Sequence, residues 1–316
     1  MICVLSGGVG AAKFLRGLRG SNLDQQIVAI VNTGDDDRFH SLAVSPDIDT
    51  VTYTLAGLSN DSLGWGVKDE TFVAMQELTA LGGESWFSLG DRDLATHLYR
   101  TDRLNEKATL SEVTAEIASK RNVGIEILPM SNDPVRTRIL LCSGGTTREV
   151  SFQEYFVKQR HQERILEVNY RGAETATAAP RVLDSIAEAE VIIIAPSNPI
   201  LSIKPILAID EIAKAVIKRR SSTVFVSPIV GGKAIKGPAE SNLRDLFGDA
   251  SLVSVARIYE DFASGIVIDH RDSEAKSELE SLGYRVLLTD TMMTTRAKEE
   301  ALAEATVDFA KAGAVN

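Results

Sequence analysis

An apolar run that gives way at once to glycines sets the first constraint on this chain. Ile2-Cys3-Val4-Leu5 reads as a buried strand, Ser6-Gly7-Gly8-Val9-Gly10 as a tight turn, and Phe14, Leu15 and Leu18 fall on one face of a following helix. A second short apolar run follows at Ile27–Val31. Two buried strands joined by a helix within about 30 residues make a βαβ unit, whose right-handed crossover begins a parallel sheet.

The rest of the chain extends that reading. Ser45-Pro46 opens another helix, in which Ile48, Val51, Leu55 and Leu58 are spaced as a buried stripe requires. Residues 61–125 are polar and helical in pattern, without strong strand signals. Residues 137–142 and 148–152 flank Ser143-Gly144-Gly145-Thr146-Thr147 and read as a hairpin. Apolar runs at 191–195, 224–227, 252–256 and 266–268 then alternate with helical stretches and resume the parallel-sheet pattern, and an amphipathic, alanine-rich helix closes the chain at 295–310. The expected fold is α/β and Rossmann-like, a mostly parallel sheet with helices on both faces and a helical insertion. Its expected parts are a glycine-loop βαβ start at 1–60, the insertion at 61–125, and the remainder of the core at 126–316.

Charge and cysteine content narrow the function. A formal net charge of -10 offers no broad cationic surface for nucleic-acid phosphates or anionic lipid, so small-molecule chemistry is expected, with no nucleic acid and no membrane as partner. An anionic substrate must then be held by a few local donors. The two cysteines, Cys3 and Cys142, lie in apolar runs and suggest neither a disulfide framework nor a thiolate metal site. No basic and apolar leader precedes Ile2, and no apolar run reaches the roughly 20 residues that span a bilayer, so a reducing, cytoplasmic location is expected.

Several loops carry residues suited to chemistry. Gly7, Gly8 and Gly10 let the backbone approach a ligand, and N–H groups at a helix start favour a diphosphate; Lys13 stands where the third glycine of a dinucleotide fingerprint would be. A purely structural turn gives the same pattern. Asn32 and Thr33 end the second strand beside that loop and are placed to touch the ligand, whereas Asp35-Asp36-Asp37 reads equally as a solvated turn. Asp47 and Asp49 lie at a helix entry. They converge on one Mg²⁺ only if the helix begins between them, because fully helical positions two apart diverge by about 200°; otherwise they are ordinary first-turn acids. Asp91-Arg92-Asp93 combines a bidentate cation with two acids and is followed by His97, a pattern that a surface ion-pair cluster also produces. Ser131 and Asp133, Ser197 and Asn198, and the Ser227-Pro228 turn end further strands and would face the same crevice.

Taken in order, these segments resemble the 2-phospho-L-lactate transferase (CofD) family. The resemblance rests on Leu5-Ser6-Gly7-Gly8-Val9-Gly10, Val31-Asn32-Thr33, Ser45-Pro46-Asp47-Ile48-Asp49-Thr50, Gly64-Trp65-Gly66, the run from Leu89-Gly90-Asp91-Arg92-Asp93 to His97, Leu128-Pro129-Met130-Ser131-Asn132-Asp133, Ala195-Pro196-Ser197-Asn198-Pro199, Val226-Ser227-Pro228-Ile229 and Asp290-Thr291-Met292-Met293-Thr294. It implies a Mg²⁺-dependent homodimer that moves phospholactate, or phosphoenolpyruvate in some members, from a guanosine diphosphate ester to the ribityl hydroxyl of the deazaflavin FO, releasing GMP in coenzyme F-420 biosynthesis. Carried onto this chain, it makes Asp47 and Asp49 metal or acceptor-hydroxyl residues, and Arg92 and Asp93 acceptor-site residues. Asp47, Asp49 and Arg92 are thus the expected catalytic set. Gly7, Gly8, Gly10 and Lys13 would hold donor phosphates, and Ser131, Asp133 and Asn198 the nucleotide. Ser88 stands where several members carry a basic residue, and wording such as Ala176-Thr177-Ala178-Ala179-Pro180 is similar to the enolpyruvyl-using branch.

Two other readings share parts of the pattern. A YvcK-like nucleotide-sugar-binding regulator shares the glycine loop and second strand but lacks the Pro46-Asp47-Ile48-Asp49-Thr50 wording. A nicotinamide-dependent dehydrogenase would need the missing third glycine and an acid closing the second strand.

Overall fold

A computed structural model describes residues 1–60, 66–159, 163–234 and 239–314. Seven strands build the central sheet: β1 (Ile2–Ser6), β2 (Ile27–Val31), β3 (Glu126–Pro129), β4 (Val191–Ile194), β5 (Thr223–Val226), β6 (Gly265–Asp269) and β7 (Arg285–Thr289). They lie in the order 3-2-1-4-5-6-7. Every neighbouring pair is parallel, with Ile2 of β1 opposite both Ile27 and Val191. This is the strand order of dinucleotide-binding folds with one strand added at an edge, and its direction reverses between β1 and β4.

The inner strands β1, β2, β4 and β5 are mainly apolar because both faces of the sheet are covered there. Alternate side chains serve different cores. Cys3 and Leu5, with Val28, Ile30, Ile192 and Ile194, pack on one face. Ile2 and Val4, with Ala29, Val31, Val191 and Ile193, pack on the other. The second face is covered by α1 (Gly8–Gly20), α2 (Pro46–Leu55) and the C-terminal helix Arg296–Ala314, which contribute Phe14, Leu15, Ile48, Val51, Leu302 and Val307. The core is therefore Rossmann-like α/β with helices on both faces. Among the described residues, no helix is long and apolar enough to cross a membrane.

Between β2 and β3 come a short hairpin (Asp37–Phe39 with Leu42–Val44) and then α2, α3 (Val73–Ala80), α4 (Asp91–Asn105) and α5 (Leu110–Lys120). Residues 61–125 are thus part of the crossover from β2 to β3. Gly64 and Trp65 of the family wording lie outside the described residues.

The structure departs from the sequence reading in places. Residues 252–256, read as a strand, form the helix Leu252–Ile258. Leu252, Val255, Ala256 and Tyr259 recur at helical spacing and are buried, and the Ser251 side chain caps the helix by accepting from the N–H of Ser254. Leu58 falls outside α2, which ends at Leu55 just before Gly57. The hairpin Arg136–Ser143 and Thr146–Ser151 gains a third antiparallel strand, Arg164–Arg171, that its charged residues conceal. This small sheet has its own core, in which Ile139, Leu141, Tyr155 and Ile165 meet Ile200 and Leu201.

Candidate functional site

The reversal of strand order places the ends of β1, β2 and β4 around one crevice. From β1 the chain turns at Gly7 and Gly8 directly into α1. Gly8 has φ +69°, a left-handed value that favours glycine. Gly10 is required by space, since a Cβ there would lie 2.0 Å from the carbonyl oxygen of Pro196, at the end of β4. Lys13 Nζ, on the next turn of α1, is 3.3 Å from the Met293 carbonyl and so points to the loop after β7.

An acid cluster closes over the glycine loop. Asp47 Oδ1 accepts the backbone N–H of Gly8 at 2.7 Å, and Asp47 Oδ2 accepts from the Asn32 amide at 2.9 Å. The same amide lies 3.3 Å from Asp35 Oδ1, while Asn32 Oδ1 accepts the N–H of Gly34. Asn32 therefore joins β2, its loop and α2. Asp35 and Asp36 are buried, so these two residues do not form a solvated turn. Asp36 Oδ2 accepts from Ser45 Oγ at 2.8 Å.

Burial raises all three carboxyl groups, because a low-dielectric setting disfavours the charged form. Asp47 is pushed up to about 6 against the hydrogen bonds from Asn32 and Gly8. Asp36 rises to about 7 against the pull of Arg136 and Ser45. Asp35 rises well above the carboxylate range, with Asp47 and Asp36 adding repulsion to burial. Around them, Thr33 Oγ1, Asp36 Oδ1, Thr137 Oγ1 and Ser197 Oγ are buried without a hydrogen-bond partner among the described residues.

Asp49, expected to share one metal with Asp47, is turned to a different partner in this structure. Helix α2 starts at Pro46, before both residues, so their side chains diverge. Asp49 forms a buried two-pronged ion pair with Arg100 of α4 through Nη1, at 3.0 Å, and Nη2. Arg100 Nη1 is also 3.2 Å from His97 Nδ1, and His97 Nε2 is 3.2 Å from Asp93 Oδ2. Asp93 Oδ1 accepts from Tyr53 OH at 2.6 Å. Burial alone would raise Asp93, but His97, Tyr53 and Arg100 together hold it below the usual value.

The remaining expected residues divide by what their side chains do. Arg92 is exposed at the start of α4, and its Nη1 donates to the Lys68 carbonyl at 2.9 Å. Asp91 is tied up in capping α3, accepting from Thr71 Oγ1 and from the N–H groups of Val73 and Ala74. Ser131 donates to the Thr177 carbonyl, and Asp133 accepts from the N–H and Oγ1 of Thr177. Asn198 Oδ1 caps the turn Pro199–Ile203, and its Nδ2 donates to Asn242. All three side chains are engaged by bonds within the protein.

Tyr53, His97 and Arg100 escaped the sequence reading as a connected group. The signal was available in part: Asp93, His97 and Arg100 follow one another at spacings of four and three, which aligns them on one helix face. Among the described residues, no group of three or more His, Cys, Asp and Glu side chains is placed to hold a metal ion alone. Asp35 and Asp47 supply two hard oxygen donors bridged by one amide, and burial raises both carboxyl groups, that of Asp35 against the pull of Arg136. Two carboxylates completed by water and phosphate oxygens form a set that suits Mg²⁺.

Comparison with known proteins places this geometry. The chain is 41% identical over 312 residues to the phosphoenolpyruvate transferase of Streptomyces griseus subsp. griseus, covering 98% of each chain. It is 35% identical over 309 residues to the 2-phospho-L-lactate transferase of Methanocaldococcus jannaschii, again covering 98% of each. A crystal structure from Bacillus halodurans, described as a member of the upf0052 family, shares the fold with a TM-score of 0.63 at 16% identity, covering 96% of this chain and 98% of that one. The sequence model described as 2-phospho-L-lactate transferase CofD matches residues 2–305. The protein is accordingly a transferase and belongs to the CofD family.

Proposed function

We propose that the protein transfers a phosphorylated three-carbon acid from a guanosine diphosphate ester to the terminal ribityl hydroxyl of the deazaflavin FO, releasing GMP, as a step of coenzyme F-420 biosynthesis. The observation that carries this reading is the contact of Asp47 with Gly8, which brings a buried acid cluster onto the phosphate-type loop at the reversal of strand order. The higher identity to a phosphoenolpyruvate transferase than to a phospholactate transferase favours the enolpyruvyl donor.

In this reading the first turn of α1 holds the donor diphosphate through backbone N–H groups, with Lys13 nearby. Asp47 and Asp35 would hold Mg²⁺, which when bound offsets charge on the phosphate oxygens. The acceptor hydroxyl oxygen bonds to the phosphorus that carries the three-carbon acid, and the bond to the bridging oxygen breaks, so that GMP leaves with the electron pair. Asp93 receives the hydrogen bond of that hydroxyl and takes its proton as the new bond forms, releasing it afterwards to solvent, and Arg92 meets the acceptor at the mouth of the crevice. Asp49 is a support of α2, because Arg100 occupies its oxygens.

The test is incubation of the purified protein with FO, Mg²⁺ and each guanosine diphosphate ester, with GMP and the FO adduct read by mass spectrometry. Formation of both products in equal amounts is expected. Binding of UDP-N-acetylglucosamine with no affinity for FO would overturn the reading in favour of a nucleotide-sugar-binding regulator.

A further inference from the structure

Five side chains form a continuous polar path between α2 and α4, running Asp49, Arg100, His97, Asp93, Tyr53. Four are sealed: the side chains of Arg100 and His97 are 1% exposed, that of Asp49 is 7% exposed, and Tyr53 is 2% exposed. Asp93, at 16%, is the opening of the path.

The order of donors along it is fixed by one residue. Arginine has only donors and keeps its proton, so at 3.2 Å from Arg100 Nη1, which also reaches Asp49 Oδ2 and the Ala43 carbonyl, the favoured role of His97 Nδ1 is to accept. The ring proton of neutral His97 is therefore on Nε2, the atom facing Asp93 Oδ2 at 3.2 Å. That N–H is off the line of a good hydrogen bond, so its tie to Asp93 is a close polar contact. Tyr53 OH donates to the other oxygen of Asp93. Both oxygens of Asp93 are thus steered by the protein, yet an ionised carboxylate has about four acceptor sites, which leaves room for an incoming hydroxyl.

We infer that Arg100 and His97 are positioning residues for the acceptor: Arg100 sets the His97 tautomer, His97 aims Asp93, and Asp93 takes the hydroxyl of a polyol. This rests on the functional reading above. The grip of Arg100 on Asp49 also fixes α4 against α2, the helix that carries Asp47 to Gly8, so the hydroxyl acceptor and the phosphate loop are held at a set separation.

The test has a spectroscopic arm and a kinetic arm. In ¹⁵N-histidine-labelled protein, with His97→Gln assigning the signal among the four histidines, neutral His97 should show a protonated Nε2 and a bare Nδ1. A protonated Nδ1 would overturn the inference. In kinetics, His97→Gln should lower kcat/KM for FO about tenfold or more, with GDP affinity unchanged. Unaltered FO kinetics would overturn it. Tyr53→Phe, which removes one hydroxyl and keeps the shape, should show the same acceptor-side loss in smaller degree, and it serves if His97→Gln fails to fold. Arg100→Lys should mix the His97 tautomers while retaining the charge. Failure of the wild-type protein to bind FO would instead overturn the functional reading and the acceptor role of Asp93 with it, while the tautomer is still read from the spectrum.

Discussion

The carboxylate of Asp47, on the first turn of α2, accepts the backbone N–H of Gly8, the first residue of α1, at 2.7 Å. Two helices on one face of the sheet thus start against each other at the phosphate loop. Removing the charge at Asp47 should weaken cation binding and lose one of its two accepted hydrogen bonds, since an amide has a single acceptor oxygen. Asp47→Asn is expected to lower turnover about ten- to a hundredfold, the effect of losing one charge-assisted interaction of about 1.5–3 kcal/mol in the transition state. Mg²⁺ should raise the melting temperature of the wild type and not of the variant. Equal stabilisation of both by Mg²⁺ would place the cation elsewhere.

Asp49, two residues further on, should behave differently. Asp49→Asn strands the buried Arg100 guanidinium, and breaking such a pair destabilises by about 3–5 kcal/mol. Urea unfolding should show a lower midpoint for Asp49→Asn than for Asp47→Asn. A variant as stable as the wild type would show that Arg100 finds another partner or water.

The raised carboxyl of Asp36 gives a pH dependence whose sign is fixed. Its folded value of about 7 lies above the ordinary 3.8, so between those limits the native state binds more protons than the unfolded chain and stability falls as pH rises. Below pH 4 both states are protonated and the contribution is fully present. Asp36→Asn removes the titration while an amide oxygen can still accept from Ser45. The variant should match the wild type near pH 4 and exceed it by about 2–4 kcal/mol at pH 8. Parallel curves for the two proteins would remove Asp36 as the cause.

Gly10→Ala puts a methyl group 2.0 Å from the Pro196 oxygen and must push α1 away from the β4 loop. Overpacking of this kind destabilises by about 1–3 kcal/mol, and here it should also weaken GDP binding, because the displaced residues form the phosphate loop. Calorimetric titration with GDP would measure it. Normal GDP affinity in a destabilised variant would separate the loop from the donor site.

Arg92→Lys keeps the charge and loses the planar fork. FO turnover should fall about tenfold, the effect of one charge-assisted hydrogen bond, with GDP affinity unchanged. Weakened GDP binding with normal FO binding would reverse the two sides of the crevice.

Much of the scaffold was readable because its cause is local. The strands β1, β2, β4, β5 and β6 are unbroken apolar runs, and Gly8 and Gly10 mark a turn that few other residues can make. The helix Leu252–Ile258 was misread because a short apolar run suits a strand and a helix alike, and only its capping serine and spacing decide. The site was harder. Asp35 and Asp36 look like turn residues until the fold buries them, and Arg100 acquires a role only when α4 lies beside α2. Such pairings join residues about 50 positions apart, where spacing carries no signal.

The strand order has a consequence for how the protein is made. β1 is made before the other strands of the sheet, and one of its edges pairs with β2, the next strand of the sheet in the chain. Its other edge waits for β4, which begins only at Val191. During that interval the nascent chain carries an open, mostly apolar strand edge, a template for pairing with other chains. Chaperone demand during synthesis should therefore peak before β4 emerges, and truncations ending before Val191 should aggregate where those reaching past it remain dispersed.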